Sequence, residues 1–336
     1  MSQKMIFDGH NDTLYQLWKQ QGGDADYFFA ARNSHAISDN SAQQGGFGGG
    51  FFAIFSPSDR SLDATSAIAS DKALSDTLEM LAIADRLASH ERGRFSICRT
   101  YDELVTARAD NRIAAILHIE GAEAVGQMAE NLHQLYQRGV RSIGPLWSRP
   151  NIFGEGVPFV FPDTPDIGGG LTEAGKELVS SCNQLGILLD VSHLNEAGFW
   201  DIARLSDRPL MATHSNAHAL CPSPRNLTDR QLDAIAEQGG IVGVCFATAY
   251  LRDDGAKQPE TGLELIIRQL DYLVTKLGDD HVGLGSDFDG AVLPSGLDNC
   301  RYLPELVRYM KHAGFDDTLI GKICSDNWFA YLNRYL

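Results

Sequence analysis

The alternation of short apolar runs with helical patterns is the feature that most constrains the fold of this chain. Several runs, such as "AAILHI" and "GILLDV", are uninterrupted, as expected for parallel strands that are covered on both faces. The predicted strands are residues 4–8, 50–55, 113–119, 142–146, 187–191, 209–213, 241–246 and 282–285. Eight strand-then-helix units predict an α/β protein with a (β/α)8 TIM barrel.

Start and stop signals place helices between these strands. Thr172 precedes "EAGKELVSSCNQL", and Gly186 is the predicted end of that helix. Thr228 and Gln231 have the spacing of a capping box, and the helix that follows is predicted to end at Gly239. The segment "LELIIRQLDYLVTKLG" repeats apolar residues at helical spacing, which predicts a further helix.

Other segments complete the predicted organisation. A helix is predicted around residues 64–89, and "TLIGKICSDNWFAYLNRYL" predicts a closing C-terminal helix. The glycine-rich residues 43–52 lack the order of a phosphate-binding loop and predict a tight loop. No change in composition marks a linker, so residues 1–336 are predicted to form a single barrel domain.

Composition excludes several classes of function. A net charge of -16 leaves no excess of Lys or Arg to bind a nucleic acid. The six cysteines are scattered without a CxxC motif, which indicates buried apolar residues and not a disulfide scaffold. Neither a long apolar run nor a signal-peptide core is found, so we expect a cytoplasmic protein without a membrane partner.

Five predicted strands end in side chains that can bind a metal ion. These are His10 and Asp12 after the first strand, Glu120 after the third, His193 after the fifth, His214 after the sixth and Asp287 after the eighth. A lone histidine or aspartate at such an end is more often structural or a turn former. In a barrel, however, these ends meet at one mouth, where unpaired buried carboxylates are costly. Imidazole and carboxylate ligands without thiolate predict Zn²⁺ or a similar metal, and a carboxylate can bridge two ions.

The remaining histidines receive different predictions. His118 points to the same face as Glu120, and the sequence leaves open whether it orients a ligand or fills the barrel. Five others lie in predicted loops or helices and are expected at the surface: His35, His90, His133, His281 and His312.

The chain contains the sequence motifs "DGHND", "EGAEA", "DVSH", "THSNAHAL" followed by "RNLTD", and "GLGSDFDG". These five motifs resemble those of the renal (membrane) dipeptidase family, peptidase family M19. The resemblance spans nearly the whole chain and implies a barrel of the metal-dependent hydrolase type with two Zn²⁺ ions. It implies that His10 and Asp12 bind one ion, that His193 and His214 bind the other, and that Glu120 bridges both.

The resemblance also implies the roles of the substrate-binding and proton-transfer residues. Asp287 matches the acid/base aspartate of the family, and Arg225 in "PRNLTD" matches the arginine that holds the terminal carboxylate of the substrate. Tyr250 in "FATAY" matches a tyrosine near that carboxylate. The expected reaction is hydrolysis of small dipeptides, L-D dipeptides included, by a hydroxide that bridges the two ions. From the residues alone, a surface arginine that caps the next turn is the favoured interpretation of Arg225.

This chain departs from the animal members of the family. Trp147 replaces the histidine that contacts the reacting carbonyl of the substrate, so either His118 or the metal ions must serve there. Phe329, and not an arginine, directly follows the "NW" of the last helix, and we expect neither a secretory nor a lipid-anchor signal. These differences predict a bacterial-type metallo-dipeptidase, for which a homodimer would be unsurprising.

Two other functions remain open at this point. One is another binuclear-metal amidohydrolase that acts on N-acyl amino acids or lactones, although such barrels usually open with HxH where this chain has Asp12. The other is a binding barrel that has lost catalysis, which the loss of Asp287 or of a ligand would indicate. No such loss is found in the sequence.

Overall fold

Eight parallel strands form the wall of a barrel in the computed structural model, which describes residues 5–30, 35–58 and 67–336. The strands are β1 Ile6–Asn11, β2 Phe47–Phe55, β3 Ile113–Glu120, β4 Val140–Gly144, β5 Leu188–Leu189, β6 Met211–Ala212, β7 Ile241–Val244 and β8 Val282–Leu284. Their order is β5-β4-β3-β2-β1-β8-β7-β6, which confirms the predicted barrel. Residue 4 of the predicted first strand lies outside the described residues.

The wall closes between β5 and β6 through a short seam. One parallel bridge joins Asp190 to Met211, and the Val191 N–H donates to the Met211 carbonyl at 2.8 Å. The Thr213 N–H donates to Oδ1 of Asp190 at 2.9 Å, so a side chain completes the pairing. We call this region the β5–β6 seam, and it is the point where the first and last strands of the order above meet.

Helices surround the strands. Over the described residues they are α1 Thr13–Gln21, α2 Ala25–Phe29, α3 Asp39–Gly45, α4 Ser70–Ser89, α5 Tyr101–Ala109, α6 Leu132–Gln137, α7 Glu173–Leu185, α8 Glu196–Leu205, α9 Asp229–Glu237, α10 Thr248–Leu251, α11 Glu264–Leu277, α12 Leu303–His312, α13 Asp317–Gly321 and α14 Asn327–Tyr335. The Thr172 cap, the left-handed Gly186 and the Thr228–Gln231 capping box are confirmed. None of the described helices is long and apolar enough to cross a membrane.

Some boundaries differ from the predictions. Helix α4 begins at Ser70, and residues 64–66 of the predicted helix lie outside the described residues. The predicted tight loop at 43–52 is wrong, because α3 covers its start and β2 begins at Phe47. The closing segment consists of α13, a π-helical turn Lys322–Asp326 and α14. A short strand, Phe95–Ile97, pairs with β3 and was not predicted.

The barrel interior is filled at its N-terminal end. Phe7, Phe51 and Met211 from the wall pack there with Trp328 of α14, and all four are buried. The indole N–H of Trp328 donates to the Leu284 carbonyl at 3.0 Å, which fixes α14 beneath the barrel. A ligand therefore has access to the interior from the opposite end, where the carboxyl ends of the strands lie.

Candidate active site

The carboxyl ends of the strands open into a cavity of about 640 Å³. Five of the six residues predicted as metal ligands or acid/base line it, namely Asp12, Glu120, His193, His214 and Asp287. His10 is fully buried directly against them, with its ring stacked on that of His214 at 3.8 Å between centroids. The structure thus brings together all six residues predicted as metal ligands or acid/base.

Glu120 lies at the centre of this group. Its Oε1 is 2.9 Å from Nε2 of His193, 3.5 Å from Nε2 of His214 and 3.7 Å from Nε2 of His10. Oδ2 of Asp12 is 3.5 Å from Nε2 of His10. One carboxylate therefore faces imidazoles from both halves of the chain, which is the arrangement a bridging ligand needs.

The backbone at two of these positions adopts a conformation that most residues avoid. His193 has φ of 68° and Asp287 has φ of 62°, both in the left-handed region. Each such residue costs of order 1–3 kcal/mol, and such residues cluster at functional sites. The Asp287 N–H donates to the His10 carbonyl at 3.0 Å, so the ends of β1 and β8 hold each other in place.

The three histidines differ in their hydrogen bonds. Nδ1 of His193 lies 2.8 Å from Oγ of Ser148, and Nδ1 of His214 lies 2.9 Å from Oγ1 of Thr213. Both nitrogens of His10 are buried without a hydrogen-bond partner among the described residues. Since a buried polar atom without a partner is costly, the His10 ring fits a ligand that a metal ion would satisfy.

The pKa shifts of these histidines and carboxylates also favour a metal site. Burial raises the pKa of Glu120 to about 8 and that of Asp287 to about 6. Burial opposes protonation of His10, but the carboxylates of Glu120 and Asp12 outweigh it and raise its pKa to about 10. Burial lowers the pKa of His193 and of His214 well below the usual range. The neutral imidazoles of His193 and His214 beside crowded carboxylates form a donor set that suits a divalent cation.

Arg225 and Tyr250 lie on one side of the group. Arg225 is buried, which contradicts its alternative interpretation as a surface residue, and its Nη2 donates to the His214 carbonyl at 3.0 Å. Its guanidinium carbon is 5.3 Å from the centre of the Tyr250 ring. Tyr250 lines the cavity, whereas Arg225 lies beside that ring and is not among the cavity-lining residues.

The structure separates Trp147 from His118. Trp147 lines the cavity together with Phe55 and Phe159, whose ring centres lie 4.7 Å and 5.2 Å from its own. His118 instead lies inside the barrel, with Nδ1 2.9 Å from Oγ of Ser142, and burial lowers its pKa to about 3. Trp147 therefore faces the space open to a ligand, and His118 does not.

His35 and Asp289 are two of the cavity-lining residues that were not predicted. His35 was expected at the surface, which is wrong, because it is 3% exposed and lines the cavity. Asp289 also lines it, and its carboxylate accepts the Ala36 N–H at 2.7 Å and the Thr13 hydroxyl at 3.2 Å. Asp289 is the second aspartate of "GSDFDG", a signal that the sequence did offer.

A parallel (β/α)8 barrel with histidine and carboxylate side chains gathered at the carboxyl ends of its strands defines the class of metal-dependent barrel hydrolases. The family model described as "Membrane dipeptidase (Peptidase family M19)" matches residues 1–334. The chain therefore belongs to this family of peptide-bond hydrolases.

Relatives of known structure are similar over nearly all of the chain. A metallo peptidase from Rhodobacter sphaeroides, liganded with a phosphinate mimic of the dipeptide L-Ala-D-Ala, has 45% identity and a TM-score of 0.95, with 99% of each chain covered. A second structure, the dipeptidase AC of family M19, has 46% identity and a TM-score of 0.94, with 98% of each chain covered.

One curated relative is a Klebsiella pneumoniae protein called "Uncharacterized protein in pqqA 5'region". It is 46% identical over 256 residues, which cover 76% of this chain and 94% of the relative. Together the family, the metallo-dipeptidase neighbours and the His/Glu group support a dipeptidase with a metal cofactor.

Proposed function

We propose that this protein is a zinc-dependent dipeptidase that uses two ions per chain to hydrolyse small dipeptides, L-D dipeptides included. The convergence of three imidazoles on the Glu120 carboxylate at the cavity floor is the observation that carries the proposal. A cavity of about 640 Å³ suits a small ligand. The phosphinate mimic of L-Ala-D-Ala on the Rhodobacter sphaeroides relative supports the stereochemistry of the substrate.

The ligand assignment follows the grouping of the side chains. His10 and Asp12 would hold one ion, His193 and His214 the other, and Glu120 would contact both. When bound, the ions supply Lewis acidity that lowers the pKa of water and polarises the amide carbonyl. The nitrogens of His10, which have no hydrogen-bond partner among the described residues, and the imidazole and carboxylate donors grouped there support a borderline divalent ion such as Zn²⁺.

Asp287 would carry the proton between the two halves of the reaction. Its carboxylate lies on the cavity wall and within 4.8 Å of ligand atoms of His10 and Asp12. From this position it would accept the proton of the attacking water and deliver it to the leaving amine.

The substrate would lie between an aromatic wall and a cationic end. Trp147, Phe55 and Phe159 supply flat apolar surface for a side chain of the dipeptide. At the other end, Tyr250 and the positive charge of Arg225 would hold the terminal carboxylate.

Purified protein reconstituted with zinc is expected to hold about two equivalents of metal and to cleave dipeptides. The measurement is metal content by atomic absorption together with a panel of L-L and L-D dipeptides, with N-acyl amino acids and lactones as comparison substrates. Zinc-replete protein that cleaves no dipeptide would contradict the proposal, and preferential cleavage of lactones or N-acyl amino acids would favour the other amidohydrolases.

Arg225→Ala is expected to raise KM for dipeptides by roughly 10- to 100-fold, because a hydrogen bond to a charged group contributes about 1.5–3 kcal/mol. Dipeptide amides, which lack the carboxylate, should be affected much less. Arg230→Ala is a matched control, since Arg230 lies on α9 with a side chain that is 78% exposed. An equal loss on amidated and free dipeptides would show that Arg225 does not bind the carboxylate.

A further inference from the structure

Behind His214, a hydroxyl and a carboxylate form a continuous hydrogen-bonded chain. Nδ1 of His214 lies 2.9 Å from Oγ1 of Thr213, and the same oxygen lies 2.6 Å from Oδ2 of Asp190. All three residues are buried, so water does not compete for these bonds. The direction in which each proton points is therefore set by the protein alone.

The proton positions follow from counting donors. Oδ1 of Asp190 accepts the Ser192 N–H at 3.0 Å and the Thr213 N–H at 2.9 Å, which leaves Oδ2 as the acceptor that faces the Thr213 hydroxyl. An ionised carboxylate only accepts, so the single hydroxyl proton of Thr213 points to Oδ2 of Asp190. The Thr213 oxygen has no second proton to give, so it accepts from Nδ1 of His214 at 2.9 Å, and the more distant Oγ of Ser192 at 3.5 Å does not change this direction.

We infer that Asp190 and Thr213 are positioning residues that fix His214 as the tautomer with its proton on Nδ1. A neutral imidazole carries one proton, so Nε2 keeps its lone pair. That nitrogen faces the site, 3.5 Å from Oε1 of Glu120 and 3.1 Å from Nε2 of His193. The inference rests on the proposed role of His214 as a metal ligand, because a ligand nitrogen must be unprotonated.

Asp190→Asn is expected to reverse the direction of the hydrogen bonds from Asp190 through Thr213 to His214 without changing the shape of these side chains. If the asparagine carbonyl keeps the two backbone N–H groups, its NH2 donates to the Thr213 oxygen. Thr213 then donates its own proton to Nδ1 of His214, and the imidazole proton moves to Nε2. Partners of this kind alter metal affinity by about 10- to 100-fold, so we expect zinc affinity to fall by that factor.

The experiment measures zinc affinity by competition with a chromophoric chelator and the His214 tautomer by ¹⁵N NMR of the metal-free protein. Thr213→Val, which lacks the hydroxyl, should lose affinity as Asp190→Asn does, whereas Thr213→Ser should keep it. The matched controls are Asp201→Asn on α8 and Thr77→Val on α4, which lie outside the cavity lining and should bind zinc like the wild type.

Wild-type zinc affinity with an unchanged ¹⁵N pattern in Asp190→Asn would overturn the inference, as would equal losses in Thr213→Ser and Thr213→Val. If Asp190→Asn does not fold, as judged by circular dichroism, the comparison between the two Thr213 variants decides. Zinc affinity and tautomer are read without any substrate. If the Asp190 and Thr213 variants change zinc affinity as expected but the wild type cleaves no dipeptide, the proposed function is contradicted and this inference is not.

Discussion

Asp287→Asn is expected to lower kcat for dipeptides by roughly 10²- to 10⁴-fold, the usual contribution of a general acid/base, while the bound metal is retained. Asparagine has the shape of aspartate and also tolerates the left-handed backbone at this position, where φ is 62°. It cannot take up or release a proton in the reaction, however. The measurements are steady-state kinetics and metal content of the same preparation.

The control for this prediction is Asp253→Asn, which removes an exposed carboxylate outside the cavity lining and should change kcat little. Loss of metal together with turnover in Asp287→Asn would identify Asp287 as primarily a ligand. Unchanged turnover would contradict its proposed role in proton transfer.

Glu120→Gln is expected to abolish most of the zinc binding and, with it, the activity. The Oε1 of Glu120 lies within 3.7 Å of three imidazole nitrogens, and the neutral amide removes the negative charge that would be shared by two cations. Ligand binding to the native state stabilises it by about 2.7 kcal/mol at a free concentration of 100 times Kd. Excess zinc should therefore raise Tm of the wild type and leave Tm of Glu120→Gln nearly unchanged.

Glu173→Gln is the matched control, because that side chain is 86% exposed on α7. It should show the zinc-dependent rise in Tm of the wild type. A Glu120→Gln protein that holds both zinc equivalents and shows the same rise in Tm would contradict a bridging role for Glu120.

The strands were predictable because each central strand of a parallel barrel is buried on both faces and reads as an apolar run. The residues at which the strands end were less predictable. The fifth strand was predicted over 187–191, but the structure has Leu188–Leu189. Beyond Leu189 the backbone pairing is reduced to the single bridge between Asp190 and Met211, and the Asp190 carboxylate takes up the N–H groups of Ser192 and Thr213. A local pattern does not contain such a bond between distant segments.

The glycine-rich segment shows the same limit. Gly49 and Gly50 lie inside β2, although such a run is typical of a loop. A Cβ at Gly49 would clash with the Ala114 carbonyl of β3, and a Cβ at Gly50 would clash with the Asp8 carbonyl of β1. The glycines allow close approach of neighbouring strands, and this need becomes visible only when the strands are assembled.

The site was predictable to the extent that strand order alone brings residues together. His10 and Glu120 are far apart in the chain, but both end barrel strands, so their meeting follows from the fold. His35 does not end a strand. It reaches the cavity in the loop before α3, where Asp289 binds the N–H groups of Ala36 and Ile37, and this contact left no periodic signal.

The β5–β6 seam has a consequence for when the metal ligands come together during synthesis of the chain. His193 and His214 follow the two strands that flank this seam, where one backbone bridge joins the wall. Under the proposed metal assignment, a cation bound by both imidazoles would link β5 to β6, the two neighbouring strands that share the fewest backbone contacts. His10, Asp12 and Glu120 leave the ribosome long before His214, so a nascent chain would carry an open, acidic half-site until late in synthesis. Metal capture and the pairing of β5 with β6 would then be one event, whereas the barrel closes only when β8 pairs with β1.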